Sequence, residues 1–346
     1  MGLALMRAPG FWWRLEPGWL AWLLSPLGWI YGTLTLWRMR GPGLAIGIPV
    51  VCVGNFVAGG AGKTPTVIAL ARMLAARGEN PFVLMRGYGG RLAGPISVDP
   101  AIHSAADVGD EALLMARHVP TIVARDRPAG AGLARTLGAS VVVMDDGLQN
   151  PTLAKTLRLA VVDGASGVGN GLCLPAGPLR APLAGQFGLS EAVIVIGEGS
   201  AGAVVAAGAA TAGLRVLTAR LAPDRGIAAG LSGQDVIAAS GIGRPEKFVA
   251  TLREVGAKVV VERPFGDHHA YTPADVAELI AQATRLGCTI ATTEKDMTKL
   301  GPLWPQAERD RLIVLPVRLV FDDPAAMSGL LDRALVASAL AGPAKP

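Results

Sequence analysis

Residues 51–64, with the sequence VCVGNFVAGGAGKT, decide the fold of this chain. They begin with an apolar run typical of a buried strand and end in glycines before Lys63 and Thr64. Residues 64–77 then have the apolar spacing of a helix, and Gly78 is a suitable residue to end it. A strand, a glycine-rich turn and a helix in this order predict a phosphate-binding loop, because the turn and the helix N-terminus both present N–H groups to phosphate oxygens.

In such a loop Lys63 neutralises the β- and γ-phosphates of ATP, and the Thr64 hydroxyl coordinates Mg²⁺. The strict pattern has a glycine five residues before Gly62, where this chain has Val57, so the loop is a variant. A glycine-rich turn with an incidental lysine is the alternative. The residues that we expect to hold ATP are Gly59, Gly60, Ala61, Gly62, Lys63, Thr64 and Pro65.

A second apolar run ends in two acids at residues 141–147, VVVMDDG. An acid at the end of a strand holds Mg²⁺ in nucleotide-binding proteins of this kind, directly or through water. Either Asp145 or Asp146 fits that role, and two adjacent carboxylates are costly without a cation. A solvated turn at the end of the strand is the alternative interpretation.

Beyond residue 41, apolar strands alternate with helical segments. This alternation predicts an α/β fold of the P-loop NTPase type, with a parallel sheet flanked by helices. The alanine-rich residues 200–213 are the nearest thing to a linker. We therefore predict an N-terminal segment in residues 1–40, a P-loop core in 41–200 and a smaller C-terminal α/β lobe in 201–346.

The N-terminal segment has no charged residue between positions 17 and 37 but is rich in aromatic rings. Trp and Tyr favour the bilayer interface, so a membrane-associated interfacial helix fits this segment best. A spanning helix is an alternative by length, although Pro26 argues against it, and a buried apolar helix is another. The aromatic residues are Trp19, Trp22, Trp29, Tyr31 and Trp37, after Trp12 and Trp13.

The bulk composition narrows the class of partner. Charged residues make up 17%, below the usual quarter, which favours a large core or contact with lipid. The net charge of +5 suits an anionic membrane face or a phosphorylated substrate, whereas the absence of Lys/Arg runs argues against nucleic acid. Cys52, Cys173 and Cys288 have no metal-binding spacing and are expected to be reduced thiols. No obligate protein partner is inferred.

Six short motifs together resemble the tetraacyldisaccharide 4′-kinase family, and they occur in the family's order. They are the VGN…GGAGKTP loop at 53–65, RGYG at 86–89, GDE at 109–111, DDGLQ at 145–149, GNG…LPAGPLR at 169–180 and Asp267-His268. Two positions depart from the family pattern. Leu148 replaces an aromatic residue, and Ala181 stands where the family often has Glu, so another group or water must complete a metal site that uses this acid.

The resemblance implies a kinase that uses ATP and Mg²⁺ to phosphorylate the 4′-hydroxyl of a tetraacyl glucosamine disaccharide 1-phosphate. This lipid and the membrane surface are then its partners, at the cytoplasmic face of the inner membrane, where ATP is available. The resemblance also implies that Asp110 is the general base and that His268 orients it or shares its proton. A helix-capping role for Asp110 is the alternative, and the adjacent His269 competes with His268 for the assignment.

Four further polar side chains are candidates for positioning the substrate or a phosphate. Arg86 and Tyr88 follow the second predicted strand, at the edge where nucleotides and substrates meet. Arg180 is suited to clamp a phosphate with two N–H groups, and Gln149 to bind ATP or the acceptor. Surface salt bridges or hydrogen bonds in turns are the alternative for each.

A membrane-associated switch ATPase of the partitioning type is the rival class. That class usually carries Lys immediately before the Gly-Gly of the phosphate loop. Ala58 occupies this position here, which favours the kinase interpretation.

Overall fold

The computed structural model describes residues 8–340. The strands lie in the following order: β1 (Val50–Asn55), β2 (Pro81–Met85), β3 (Ile96–Ser97), β4 (Thr121–Val123), β5 (Val141–Asp145), β6 (Leu157–Asp163), β7 (Ala192–Ile196), β8 (Arg215–Pro223), β9 (Asp235–Ser240), β10 (Lys258–Pro264), β11 (Thr289–Thr292), β12 (Leu312–Val314) and β13 (Val317–Phe321).

Helices occur between most of these strands, so the predicted alternation is confirmed. They are α1 (Trp19–Met39), α2 (Lys63–Ala75), α3 (Ala105–Val108), α4 (Asp110–Ala116), α5 (Arg127–Thr136), α6 (Leu183–Phe187), α7 (Ser200–Thr211), α8 (Arg225–Leu231), α9 (Pro245–Glu254), α10 (Pro273–Leu286), α11 (Glu294–Leu300) and α12 (Pro324–Leu340). Short 3₁₀ turns cover Gly10–Trp13, Gly301–Leu303 and Gln306–Arg311.

The larger sheet has nine strands in the order β13-β8-β7-β6-β1-β5-β2-β4-β3. All neighbours pair in parallel except β3 with β4 and β13 with β8 at the two edges. The phosphate loop follows β1, which lies between β6 and β5 at the centre of the sheet. Because parallel strands share a carboxyl edge, the residues after β1, β2, β5 and β6 meet along that edge.

The side chains of β1 explain why it is the central strand. Val51 and Val53 face the cluster that contains α2, whereas Val50 and Cys52 face the opposite cluster, and all four are buried. A strand buried on both faces needs an uninterrupted apolar run, which this stretch supplies. Burying each such valine is worth about 1.5–3 kcal/mol relative to exposure.

The smaller sheet has four parallel strands in the order β10-β9-β11-β12. The predicted division at residue 200 does not coincide with the division between the sheets. β8 and β13 both join the larger sheet, and Met327 and Leu331 of α12 pack into the core that α2 covers. The larger lobe is therefore built from two separate parts of the chain, with the smaller lobe inserted between them.

The alanine-rich residues form α7 rather than a linker. Alanine has the highest helix propensity, so a run of it between two strands favours a crossover helix. Val205 and Ala209 of α7 are buried against the larger sheet, which fixes this helix in the core.

Helix α1 packs one narrow face on the larger lobe and exposes the rest. A Cβ added at Gly28 would lie 2.6 Å from the carbonyl oxygen of Cys173, and one at Gly32 would lie 2.6 Å from its sulfur. Trp19, Trp29 and Trp37 are 78%, 70% and 72% exposed. Within residues 8–340, no helix combines the length and the apolar character needed to cross a bilayer.

Candidate active site

The phosphate loop leaves β1 at the carboxyl edge and enters α2 at Lys63. Gly62 has a φ of +86°, which favours glycine, and a Cβ there would lie 2.6 Å from Ile196. The amide Nδ2 of Asn55 donates to the carbonyl of Gly59 at 2.8 Å and closes the loop. A Cβ on Gly59 or Gly60 would meet nothing within 4 Å, so the outer side of the loop borders open space. This geometry suits a loop that wraps around phosphate groups.

Asp145, the last residue of β5, is a buried carboxylate with an unused oxygen. The side chain is 4% exposed, and its Oδ1 has no hydrogen-bond partner among the described residues. Burial raises its pKa to about 7, helped by the charges of Glu111 and Asp146 and opposed by Lys63. Such a carboxylate is stabilised by any cation that reaches it.

Asp146 differs from its neighbour because cations already surround it. Arg180 contacts it through two N–H groups, with Nη1 2.9 Å from Oδ1 and Nη2 3.2 Å from Oδ2. Lys63 lies 3.7 Å from the same Oδ1. Burial acts to raise the pKa of Asp146, but the charges of Lys63 and Arg180 outweigh it and hold the pKa below the usual value.

Arg180 and Gln149 belong to a hydrogen-bond network below the phosphate loop. Arg180 donates to Gln149 Oε1 at 3.1 Å and to the carbonyl of Val57 at 3.1 Å. Gln149 in turn donates to the carbonyl of Asn55 at 2.9 Å. In this structure Arg180 clamps a carboxylate, whereas the sequence suggested a phosphate, because Asp146 lies within reach of both ends of its guanidinium group.

Ala181 is fully buried beside this network. Its carbonyl oxygen accepts a hydrogen bond from Nε2 of Gln186 at 2.7 Å, and its methyl group offers no ligand to a metal. Among the described residues, no three His, Cys, Asp or Glu side chains come together as a ligand set. A cation at this edge therefore needs oxygen ligands from a substrate or water in addition to protein groups.

Asp110 begins α4 and is 6% exposed. Nδ1 of His268 lies 3.1 Å from Oδ1 and 3.0 Å from Oδ2 of Asp110, and Nζ of Lys299 lies 3.2 Å from Oδ2. Burial acts to raise the pKa of Asp110, but the hydrogen bond from His268 and the charges of Lys295 and Lys299 outweigh it, so the pKa is well below its usual range. The carboxylate is thus ionised at neutral pH.

The structure separates the two adjacent histidines. His268, with an unusual φ of +58°, faces Asp110, whereas His269 lies 3.2 Å from Asp275 on α10. A histidine at positive φ costs backbone energy and persists where its surroundings hold it. The predicted pairing of His268 with Asp110 is thus present across the two lobes.

Arg86 and Tyr88 are exposed in the loop after β2. The Tyr88 ring lies 6.3 Å from the His268 ring, so the loop borders the Asp110 site. A Cβ on Gly109 would lie 2.3 Å from the carbonyl oxygen of Tyr88, which means that only glycine allows this loop to approach α4 so closely. The glycine also separates α3 from α4 and thereby places Asp110 at a helix N-terminus.

Three buried or half-buried cations of the site were not predicted. Arg127 is 4% exposed and donates to the main-chain carbonyl of Asp145 at 3.3 Å. Lys295 and Lys299 lie one helical turn apart on α11 and face α4. Both lysines follow β11, and the apolar run of that strand was the available signal, since the residues after a parallel strand lie at a carboxyl edge.

The charged groups around Asp145 and those around Asp110 lie close enough to affect each other. Glu111, which follows Asp110, and Lys63 both affect the pKa of Asp145. Helices α2 and α4 also pack against a common core that includes Val67 and Ala112. The phosphate loop, Asp145 and Asp110 therefore lie in one region of the carboxyl edge, and the smaller lobe meets Asp110 there through His268 and Lys299.

Comparisons with known proteins agree with this arrangement. The family model described as Tetraacyldisaccharide-1-P 4′-kinase matches residues 20–336. Relatives with the name Tetraacyldisaccharide 4′-kinase include one from Methylobacterium nodulans, 53% identical over 99% of this chain and 98% of that protein. Another, from Rhodopseudomonas palustris (strain HaA2), is 56% identical over 86% of this chain and 87% of that protein.

A solved structure supports the fold independently. LpxK from Aquifex aeolicus, crystallised in complex with ATP, superposes with a TM-score of 0.70 at 24% identity, covering 91% of this chain and 99% of that one. The sequence match and the shared architecture lead to one conclusion: this chain belongs to the tetraacyldisaccharide-1-P 4′-kinase family.

Proposed function

We propose that this protein transfers the γ-phosphate of ATP to the 4′-hydroxyl of a tetraacyl glucosamine disaccharide 1-phosphate. Family membership supports the reaction. The observation that carries it is the ionised Asp110, held by His268 in the region that the phosphate loop borders. A switch ATPase does not phosphorylate an alcohol, so it does not need a second carboxylate to accept the proton of a hydroxyl group.

In this proposal residues 59–65 wrap around the triphosphate. Lys63 neutralises the β- and γ-phosphates, and the N-terminus of α2 adds its dipole. Arg86 and Tyr88, exposed beside the Asp110 site, position the acceptor or its phosphate. Arg180 and Gln149 contribute indirectly, because their hydrogen bonds hold Asp146 and the phosphate loop in place.

The donor groups at the edge fit Mg²⁺. Asp145 offers an unpaired carboxylate oxygen, and Thr64 a hydroxyl at the start of α2, and Mg²⁺ prefers oxygen ligands. Asp146 is already engaged by Arg180, so Asp145 and Thr64 would hold the ion, with the charge of Asp146 nearby. When bound, the metal supplies positive charge to the phosphates during transfer.

Asp110 receives the proton of the acceptor hydroxyl. As the oxygen of the 4′-hydroxyl forms its bond to the γ-phosphorus, the bond from that phosphorus to the bridging oxygen breaks and ADP leaves. The proton passes to the Asp110 carboxylate, beside His268. A weak base suffices because the transition state of phosphoryl transfer is loose, with little bond formation to the attacking oxygen.

The exposed tryptophan face of α1 supports attachment to the cytoplasmic face of the inner membrane. Replacing Trp19, Trp29 and Trp37 together by Ser should reduce partition onto anionic vesicles by about 10³-fold, because burying each exposed ring in lipid contributes about 1.5 kcal/mol or more. Nucleotide affinity should stay unchanged. Unaltered partition of this variant would reject the attachment surface.

A transfer assay with γ-labelled ATP tests the reaction itself. Wild-type protein should place label on the lipid, and label found only in free phosphate would instead indicate an ATPase. Asp110→Asn should lower turnover by about 10²–10⁴-fold with ATP affinity retained, because the proton acceptor is lost. Lys63→Met should weaken ATP binding itself. Lys258→Met, an exposed site on β10, is the matched control and should behave as wild type.

A further inference from the structure

Lys295 lies at the junction of the lobes, with its ammonium at the same distance from three acceptors. Its ammonium lies 3.4 Å from Glu111 Oε1, 3.4 Å from Asp267 Oδ1 and 3.4 Å from His268 Nε2. An ammonium has three N–H donors and no acceptor, so three acceptors satisfy it. The contacts are long for hydrogen bonds, but the side chain is only 17% exposed, which strengthens their electrostatic attraction.

The neighbours of His268 restrict the state of its ring. The ionised carboxylate of Asp110 only accepts hydrogen bonds, so Nδ1 must carry a proton. Lys295 only donates, so Nε2 must present its lone pair. The neutral ring with its proton on Nδ1 is the one form that satisfies both, since an imidazolium would direct Nε2–H at the ammonium.

The two neighbours also act in opposite directions on protonation. The hydrogen bond to Asp110 raises the pKa of His268, while burial and the charge of Lys295 lower it, and the net shift is upward. The titratable and charged groups that face the ring are Asp110 and Glu111 on α4, Lys295 and Lys299 on α11, Asp267 in its own loop and Tyr88 in the loop after β2.

The element that carries Lys295 is fixed. Asp296, the next residue, is fully buried and accepts hydrogen bonds from the Gly241 main chain at 3.0 Å and from the Tyr271 hydroxyl at 3.0 Å. The Thr293 side chain caps α11 by accepting from the main-chain N–H of Asp296. The first turn of α11 is thus tied to the end of β9 and to the chain just after His268, so the lysine is held rather than free to move.

We propose that Lys295 is a positioning residue, whose ammonium holds His268 as the neutral form with its proton on Nδ1 and so keeps Asp110 as the proton acceptor. The inference rests on the proposed role of Asp110 in the transfer reaction. Without Lys295 the ring gains a second proton on Nε2. The imidazolium, hydrogen-bonded to Asp110 at 3.0 Å, then takes the place of an ammonium whose own contacts are with Glu111 and Asp267, so positive charge moves closer to the Asp110 carboxylate and makes it a poorer acceptor of the substrate proton.

Nitrogen-15 NMR of histidine-labelled protein tests the assignment directly. The chain contains four histidines, so His268→Asn identifies the signal of interest by difference. In the wild-type protein at alkaline pH, above the titration of His268, Nδ1 should be protonated and Nε2 not. Lys295→Met should raise the titration midpoint of His268 by about one pH unit or more, and Lys295→Arg should restore it. Lys258→Met is the exposed lysine control.

Kinetics supply the second readout. Lys295→Met should lower kcat by at least about tenfold and move the acidic limb of its pH profile upward, with the KM for ATP unchanged. A wild-type ring protonated on Nε2 alone, or an unchanged midpoint in Lys295→Met, would overturn the proposal. Because the NMR experiment needs no lipid, a wild-type protein without kinase activity would reject the proposed function and leave the test of Lys295 intact.

Discussion

At the scale of single residues, the adjacent acids Asp145 and Asp146 illustrate how position decides the energy of a carboxylate. Asp146 is paired with Arg180 and Lys63, whereas Asp145 points a free oxygen into a buried space. The same residue type is therefore stabilising at one position and costly at the next. A costly group is retained where function needs it, and the Mg²⁺ site proposed above would be that function.

Asp145→Asn should stabilise the metal-free protein while abolishing Mg²⁺-dependent transfer. The folded pKa of Asp145, about 7, lies above the ordinary value of 3.8 for an aspartate, so its ionisation destabilises the fold as pH rises from about 4 to about 7. The gain in unfolding free energy should be on the order of 1–3 kcal/mol at pH 8 and vanish near pH 4. Thermal unfolding at both pH values, with chelator present, measures it.

Asp146→Asn is the matched control and should have the opposite sign. It removes the partner of Arg180, with a loss of roughly 1 kcal/mol because the carboxylate is partly exposed. Equal effects of the two substitutions would contradict the assignment of distinct environments to these neighbours.

At the scale of elements, α1 shows how a helix with little amphipathic character is still held in one orientation. Three of its four buried residues are the small Ala21, Gly28 and Gly32, and the two glycines allow the helix to approach the chain around Cys173. Close approach of the backbone replaces the usual stripe of large apolar side chains. Leu36 and Met39 also pack on the larger lobe, whereas the tryptophans of α1 remain exposed on the other faces.

Gly28→Val should weaken the docking of α1. The added side chain meets the carbonyl of Cys173, and overpacking of this kind costs about 1–3 kcal/mol, more than the gain from replacing a helical glycine. Limited proteolysis and thermal unfolding should both detect the change. Thr33→Val, an exposed position on the same helix, should have no comparable effect. If both variants resist protease as wild type does, the contact with Cys173 does not hold the helix.

At the scale of the whole molecule, two acids of the larger lobe anchor the smaller one. Asp110 contacts His268 and Lys299, and Asp163 at the end of β6 contacts Arg244 and Lys247 near the start of α9. Asp110 follows Gly109, which packs against the loop after β2. β6 and β2 lie on opposite sides of β1 in the sheet. The smaller lobe is therefore attached to the larger lobe on both sides of the phosphate loop, and these two contacts fix its position.

Asp163→Ala should loosen this attachment. Burial acts to raise the pKa of Asp163, but the hydrogen bond from Lys247 and the charge of Arg244 outweigh it and lower the pKa. Its contribution is thus present above the unfolded pKa and is lost as pH falls through the folded pKa. We expect a loss of about 2–4 kcal/mol at pH 7, because two cations are left without a buried partner.

Chemical denaturation of Asp163→Ala and Asp322→Ala distinguishes a buried pair from an exposed one. Asp322 pairs with Arg220 at the surface, where both side chains are at least half exposed, and its loss should change little. A loss for Asp163→Ala no larger than that of the control would show that the Asp163 cluster does not bind the lobes together.

The elements that could be predicted from the sequence share a physical property. β1, β2, β5 and α2 have strong local patterns, and the glycines of the phosphate loop impose a turn wherever they occur. The chain from 200 to 213 was interpreted as the nearest thing to a linker, but its alanine content favours the helix that it forms. The division of the lobes was misplaced because strand patterns do not indicate which sheet a strand joins.

The amino-acid sequence by itself determined the phosphate loop, the acids after β5 and the α/β class, because each depends on residues that are neighbours along the chain. Only the tertiary structure decided that Asp145 is unpaired while Asp146 is clamped, and that Lys295 and Lys299 face Asp110 from more than 180 residues away. Burial and charge pairing arise from distant segments that meet on folding, so local patterns carry no record of them.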